Sequence, residues 1–152
     1  MSLDEDNIFD DPDDDEFERL QKRKKNLPVF KKALEIAHTV NALNVCLKGR
    51  DKEMYAHHLS ESSLILGAKI AGAVGSGSWL IAMQNAAIVR YHAEWLLTAT
   101  SGLKTMTKAD KDYIKVLRNE MEEFRDLFNE WVKEIHKMDK DDFEDEWGLF
   151  IK

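Results

Sequence analysis

The chain has 152 residues, a formal net charge of −7 and a single cysteine, Cys46. This length fits one domain that buries enough surface to fold without a metal or a disulfide. A lone cysteine cannot form an internal disulfide, and two prolines with seven glycines disfavour an all-β sandwich and a wholly disordered chain. The acidic total argues against a nucleic-acid partner only if the charges are evenly distributed.

The charges are in fact segregated along the chain. Residues 1–18 carry ten acids and no Lys or Arg, which gives −10. Residues 139–152 total −4, whereas residues 19–138 total +7. A run of like charges with little apolar surface does not fold by itself. The sequence therefore predicts a disordered acidic tail (1–18), a basic helical body (19–138) and an acidic, aromatic C-terminal segment (139–152).

No segment has the pattern of a signal peptide or of a membrane span. The N-terminal residues are acidic, whereas a signal peptide has a basic region followed by an apolar stretch. The most apolar run, residues 79–99, contains Arg90, His92 and Glu94, whose burial in a bilayer would be costly. The sequence therefore predicts a cytoplasmic protein with no membrane partner.

Apolar residues recur at spacings of three and four through the body and predict four helices. The first begins near Pro28, with Asn26 as a capping residue, and ends at Gly49. Residues 19–25 either extend this helix or form a basic linker. Cys46 lies among apolar residues, which favours an inert core thiol. The predicted inner face consists of Leu27, Phe30, Leu34, Ala37, Val40, Leu43 and Leu47.

The second predicted helix begins at Asp51, a good capping residue, and is broken by the Gly and Ser residues of 75–78. Small side chains are dense along it and would let another helix approach closely. The predicted inner stripe consists of Met54, Leu59, Ser62, Leu66, Ile70 and Ala73.

The third predicted helix is capped by Ser78, runs to about Gly102 and is apolar almost all the way round. A helix without a broad polar face is buried on more than one side. Because each helix of a four-helix bundle normally keeps an outer face, the extra apolar surface predicts a subunit interface and a homo-oligomer. The predicted interface residues are Trp79, Ile81, Ile88 and Trp95.

The fourth predicted helix begins with Thr107 as the cap and Asp110 three residues later, an arrangement similar to a capping box. Short links between long helices favour antiparallel neighbours. The predicted fold is all-α: an up-down-up-down antiparallel four-helix bundle with an acidic disordered N-terminal tail. The predicted inner stripe of the last helix consists of Tyr113, Val116 or Leu117, Met121, Phe124, Leu127 or Phe128, Trp131 and Ile135.

A basic cluster stands at the start of the body. Such a cluster can neutralise the phosphates of RNA or DNA without reading their sequence. The alternatives are a solvated helix start or a local partner for the acidic tail beside it. The predicted nucleic-acid-binding residues are Arg19, Lys22, Arg23, Lys24, Lys25, Lys31 and Lys32.

Two patterns raise an enzymatic alternative, a metal-dependent or a ribonuclease-like bundle. Glu35 and His38 form one Glu-x-x-His motif, whereas a di-iron bundle needs two. Arg50 and His57 resemble the Arg-x(4–6)-His pattern of the HEPN ribonuclease superfamily, whose Arg would hold phosphate while its His acts as acid or base. This pattern straddles a predicted helix start. We therefore assign no catalytic residue, no metal ligand and no cofactor.

The C-terminal segment mixes acids with five bulky apolar side chains, which are not normally left in water. Folding back onto its own bundle is the favoured interpretation, and docking on a neighbouring subunit or a partner protein is the alternative. The five residues are Phe143, Trp147, Leu149, Phe150 and Ile151.

Four stretches of the body share a pattern with a known family. Residues 30–36 read Phe-x-x-Ala-x-x-Ile, residues 64–73 form a small-residue helix core, residues 94–96 end in Trp-Leu, and residues 106–110 contain a Thr cap. The order of these features over roughly 27–138 resembles the four-helix bundle family of 23S rRNA intervening-sequence proteins. That family includes the accessory variability determinant of diversity-generating retroelements.

The polar signature of the family is largely replaced in this chain. The family's helix 2 Asn and Glu fall on Lys69 and Gly72, and its helix 3 glutamates fall on Ile88 and Tyr91, so no polar site is carried over. The resemblance implies a non-enzymatic protein and a ring-like homo-oligomer, often a pentamer. The retroelement member of the family binds a reverse transcriptase and nucleic acid, so the resemblance implies partners of these two kinds. The predicted function is a non-enzymatic oligomeric helical scaffold that engages nucleic acid, or a nucleic-acid enzyme such as a reverse transcriptase, through a basic surface. A purely structural self-assembling protein is a further alternative.

Overall fold

A computed structural model describes residues 12–140 and 145–150 of the chain. Within these ranges the chain is helical and contains no β-strand, which confirms the predicted all-α class. None of these helices combines the length and the apolar character that crossing a membrane requires. The helices are α1 (Pro12–Asn26), α2 (Pro28–Cys46), α3 (Gly49–Ser76), α4 (Trp79–Met106) and α5 (Lys111–His136).

Helices α2 to α5 pack side by side, so that α2 and α4 each contact both α3 and α5. Between α2 and α5, Lys32 bonds to Glu123 and Thr39 bonds to Glu120, which shows that these two helices run in opposite directions. Helices α2 and α3 also run in opposite directions, since Phe30 lies near Gly67 and Asn44 bonds to Ser60. The same holds for α3 and α4, where Gly72 lies near Asn85 and Ser62 bonds to His92.

The core lies between these four helices. Burying each large apolar side chain there contributes about 1.5–3 kcal/mol relative to leaving it exposed. In the ion pairs that described residues form with Glu35, Glu94, Glu123, Glu130 and Glu134, the carboxylate is exposed, and exposed ion pairs contribute little to stability. Apolar packing is therefore what holds the helices together. The largest fully buried side chains include Ile36, Leu43, Leu59, Leu66, Ile70, Leu96, Leu103, Ile114, Leu117, Met121 and Phe124.

The buried face of α2 differs from the predicted one only in the first half of the helix. Val29, Ala33 and Ile36 are buried there, whereas Leu34 is 47 % exposed. In the second half and at the C-cap, the predicted residues Val40, Leu43 and Leu47 are buried. The helix carries two overlapping apolar stripes at spacings of three and four, and periodicity alone cannot choose between them. Two other predicted inner residues, Met54 and Tyr113, are also exposed.

The turn between α2 and α3 differs from the prediction. Gly49 does not end α2, because α2 ends at Cys46 and Gly49 begins α3 with a positive φ of 56°. Asp51 is not the cap, since Lys48 occupies that position. The Asp51 carboxylate instead accepts a hydrogen bond of 3.2 Å from the backbone N–H of Lys108, which ties the start of α3 to the turn before α5.

The predicted capping residue is confirmed for α4 and wrong for α5. Ser78 caps α4 as predicted, since its side chain accepts a hydrogen bond from the backbone N–H of Ile81. Thr107 does not cap α5, because its hydroxyl donates back to the carbonyl of Leu103 at the end of α4. Asp110 caps α5 and accepts from the N–H of Asp112.

Helix α1 is a fifth helix that the four-helix prediction does not contain. It includes residues 12–18 of the predicted disordered tail, while residues 1–11 lie outside the described residues. Its acids occupy the first turns and its basic residues the last turns, an order that complements the helix dipole and favours helix over coil. It contacts α2 and α3, with Leu20, Gln21 and Lys24 as its less exposed side chains.

Cys46 is exposed rather than part of the core. It is the last residue of α2, where the buried positions are Leu43 and Leu47.

Candidate nucleic-acid and self-association surfaces

Six of the seven predicted nucleic-acid-binding residues lie on α1 or at the start of α2, and we call this set the α1 basic surface. Five of the six are exposed; Lys24 is half-buried, and its ammonium lies 5.8 Å from the centre of the Phe30 ring. Within the described part of the chain, none of the six forms an ion pair. Its members are Arg19, Lys22, Arg23, Lys24, Lys25 and Lys31.

The seventh predicted residue, Lys32, is placed differently. Its ammonium lies 2.6 Å from a carboxylate oxygen of Glu123 on α5 and 2.6 Å from one of Glu35 on its own helix. The hydrogen bonds that its ammonium donates to these two carboxylates, that to Glu123 first, raise the pKa of Lys32. Its side chain is only 15 % exposed. Lys32 therefore links α2 to α5, and its charge is already balanced by two carboxylates and is poorly accessible to a phosphate.

The spacing of the basic residues on α1 orients part of the α1 basic surface along the helix axis. Arg19, Lys22 and Arg23 are three and four residues apart and so share one face of the helix. From Arg19 to Lys25 the helix rises by about 9 Å, which matches roughly three phosphates of one strand. The acidic first half of α1, which includes exposed Asp15 and Glu18, would repel phosphates at one end of this surface.

The predicted interface residues of α4 divide into two groups. Ile81, Ile88 and Trp95 are seven residues apart and form one stripe, with Ile81 44 % and Ile88 37 % exposed and Trp95 half-buried beside His58. Trp79 does not belong to this stripe because it is buried. Tyr91, which the prediction omitted, is largely exposed on the stripe; its spacing from Ile88 and Trp95 was the signal that could have found it.

Charged groups are scarce along this stripe. Between residues 79 and 98 the helix carries only two formal charges, Arg90 and Glu94, and these pair with one another at 3.1 Å. Depletion of charge together with aromatic residues such as Tyr91 and Trp95 is typical of the centre of a protein–protein interface. We call Ile81, Ile88, Tyr91 and Trp95 the α4 stripe.

The C-terminal segment folds back through one residue. The Phe150 ring packs edge-on against Trp79, with ring centres 5.8 Å apart, which confirms the favoured interpretation for this residue. The Asp145 carboxylate accepts hydrogen bonds from the backbone N–H groups of Phe150 and Trp147, and these bonds lower its pKa. Trp147 is 92 % exposed, so the turn does not cover it. Phe143 and Ile151 lie outside the described residues.

The structure does not bring the residues of the enzymatic alternative together. Arg50 and His57 are exposed on α3, and two helical turns, about 10 Å along the axis, separate them. His38 is exposed, and its motif partner Glu35 bonds to Lys32. Across residues 12–140 and 145–150, no three His, Cys, Asp or Glu side chains are grouped as a metal site would require.

The sequence pattern does not predict one polar contact between helices. Glu120 on α5 accepts a hydrogen bond from the Thr39 hydroxyl on α2, and burial raises the pKa of its carboxyl. Glu120 stands on the side of α5 next to the Lys32 and Glu123 pair, so it belongs to the α2–α5 contact rather than to a site.

Comparison with known proteins does not assign either surface. No family model, curated protein or solved structure matches this chain.

Proposed function

We propose that this chain is a non-enzymatic, self-associating helical scaffold that binds the phosphate backbone of a nucleic acid through the α1 basic surface. The observation that carries this proposal is the contrast between two sets of cations. Lys32 has two carboxylates within hydrogen-bond distance, whereas the α1 basic surface has no ion-pair partner among the described residues. Such charges are free to replace the counterions of a phosphate chain.

The scaffold itself is the second part of the proposal. The reversed pairing of residues between neighbouring helices supports an up-down-up-down bundle of α2 to α5, with α1 lying across α2 and α3. Membership of the intervening-sequence family would add a ring-like assembly, a pentamer, with a reverse transcriptase as one class of protein partner. The α4 stripe is the surface available for such an assembly.

Removing residues 1–11 tests the nucleic-acid proposal. This deletion takes away five carboxylates and no Lys or Arg, changing the net charge from −7 to −2, and it leaves α1 whole. Because the acids compete with phosphate for the basic surface, we expect binding of labelled oligonucleotides at about 50 mM salt to tighten about tenfold. Fluorescence anisotropy across a salt series measures this change.

The matched control keeps the length of the chain. Replacing the five acids of residues 1–11 by Asn or Gln should tighten binding as much as deletion does, because the effect is one of charge. If the shortened protein, with helix content unchanged by circular dichroism, fails to bind RNA or DNA at low salt, the proposed function is wrong.

Changing Ile88 to lysine tests self-association. The new charge would lie at the centre of the α4 stripe, where burying an unpaired ammonium is costly. We expect the wild-type protein to be oligomeric at micromolar concentration by light scattering and Ile88→Lys to be monomeric. Leu64→Lys is the control, since Leu64 is also exposed but lies on α3 outside the stripe. A monomeric wild-type protein would contradict the interface.

A further inference from the structure

A cavity of about 610 Å³ lies at the end of the bundle where α2 and α4 begin and α3 and α5 end. Four helices contribute to its wall, and α1 reaches its rim. The wall is mainly apolar, and residues lining it include Val29, Ala73, Ala82, Leu127, Trp131 and Ile135.

The cavity is partly open to solvent, and its size is that of a small-molecule site. Pockets that bind small molecules measure about 300–1,000 Å³ and are mostly apolar with a few placed polar groups. The cavity at the end of the bundle has both properties, so it suits a ligand with an apolar body.

The charges at the rim indicate the head group of that ligand. Among the described residues, three charged side chains line the cavity: Arg23, Glu130 and Glu134. Lys133 bonds to Glu130 at 2.8 Å and lowers the pKa of its carboxyl, and Lys137 bonds to Glu134 at 2.8 Å.

Arg23 differs from the two carboxylates, because it forms no ion pair in the part of the chain that the structure describes. Each rim carboxylate is balanced by a lysine of its own helix, which leaves the guanidinium of Arg23 as the unbalanced charge. A guanidinium presents paired N–H donors that match a carboxylate.

We propose that the cavity binds a free single-chain amphiphile, with its hydrocarbon chain inside the bundle and an anionic carboxylate head on Arg23. Apolar surface inside the cavity supplies affinity for the chain, and Arg23 supplies selectivity for the head. The site shares Arg23 with the α1 basic surface, but the proposal does not depend on nucleic-acid binding, because the apolar lining of the cavity contains none of the other five cations.

Titration calorimetry with three twelve-carbon probes, dodecanoate, dodecanol and dodecylamine, tests the head-group selectivity. We expect saturable one-to-one binding of dodecanoate, with dodecanol at least about tenfold weaker and dodecylamine weaker still. Arg23→Gln should weaken dodecanoate about tenfold and leave dodecanol unchanged. Arg50→Gln is the control, because Arg50 has the same charge, is exposed on α3 and does not line the cavity.

Filling the cavity tests its location. Val74 lines it, so Val74→Trp should abolish binding of dodecanoate and dodecanol, while Val45→Trp at an exposed position of α2 should not. Thermal unfolding shows whether each variant is folded. Dodecanoate binding that survives in folded Val74→Trp, absence of saturable binding by the wild type, or binding only to vesicles of anionic lipid would each overturn the proposal.

Discussion

We expect Ile36→Ala to lower the free energy of unfolding by about 2–5 kcal/mol and Leu34→Ala to lower it by less than about 1 kcal/mol. Ile36 is fully buried between the helices, so its truncation leaves a cavity in a close-packed core. Leu34 is about half exposed on the same helix, and truncating it removes little buried surface.

Urea unfolding followed by circular dichroism measures both effects. A domain of this kind has a total stability of about 5–15 kcal/mol, so both variants should remain folded in water and give complete transitions. The two substitutions remove chemically similar side chains, which makes each a control for the other. A larger loss for Leu34→Ala would mean that α2 presents the face predicted from periodicity.

Replacing Arg19, Lys22 and Lys25 together by glutamine should weaken nucleic-acid binding on the order of 100-fold at about 50 mM salt. Each cation that neutralises a phosphate releases counterions, so the log–log slope of affinity against salt should fall by about 2 for a single strand. All three side chains are exposed, and their replacement should leave the helix content unchanged.

The control for this triple change carries the same change in net charge elsewhere. Three other lysines are exposed: Lys48 before α3, Lys52 in the first turn of α3 and Lys104 in the last turn of α4. Replacing these three by glutamine should reduce the affinity only slightly. Equal losses in the two triple variants would show that binding depends on total charge and not on the α1 basic surface.

Much of the candidate surface could be predicted because it depends on the neighbours of each residue along the chain. Six basic residues fall within 13 positions of one another on α1 and α2, and a segment so rich in charge stays exposed. Their freedom from ion pairs could not be predicted. Lys32 belongs to the same run, yet it pairs with Glu123, which lies 91 residues later.

The α4 stripe also combines a feature that the sequence predicts with one that depends on tertiary contacts. The seven-residue spacing of Ile81, Ile88 and Trp95 is visible in the sequence and places them on one face of any helix. Trp79 has an equally apolar side chain, but it is buried in the core, where Phe150 packs against its ring. Contacts with segments distant in the chain therefore remove Trp79 from the surface.

By itself, the sequence determined the helical class, the approximate extent of α2 to α5, the Ser78 cap and the segregation of charge. These features arise from local propensity, periodicity and composition. The tertiary structure decided which stripe of α2 is buried, which cations are paired and where the end cavity lies. These features depend on contacts between distant segments, whose packing chooses among alternatives that local patterns leave equal in energy.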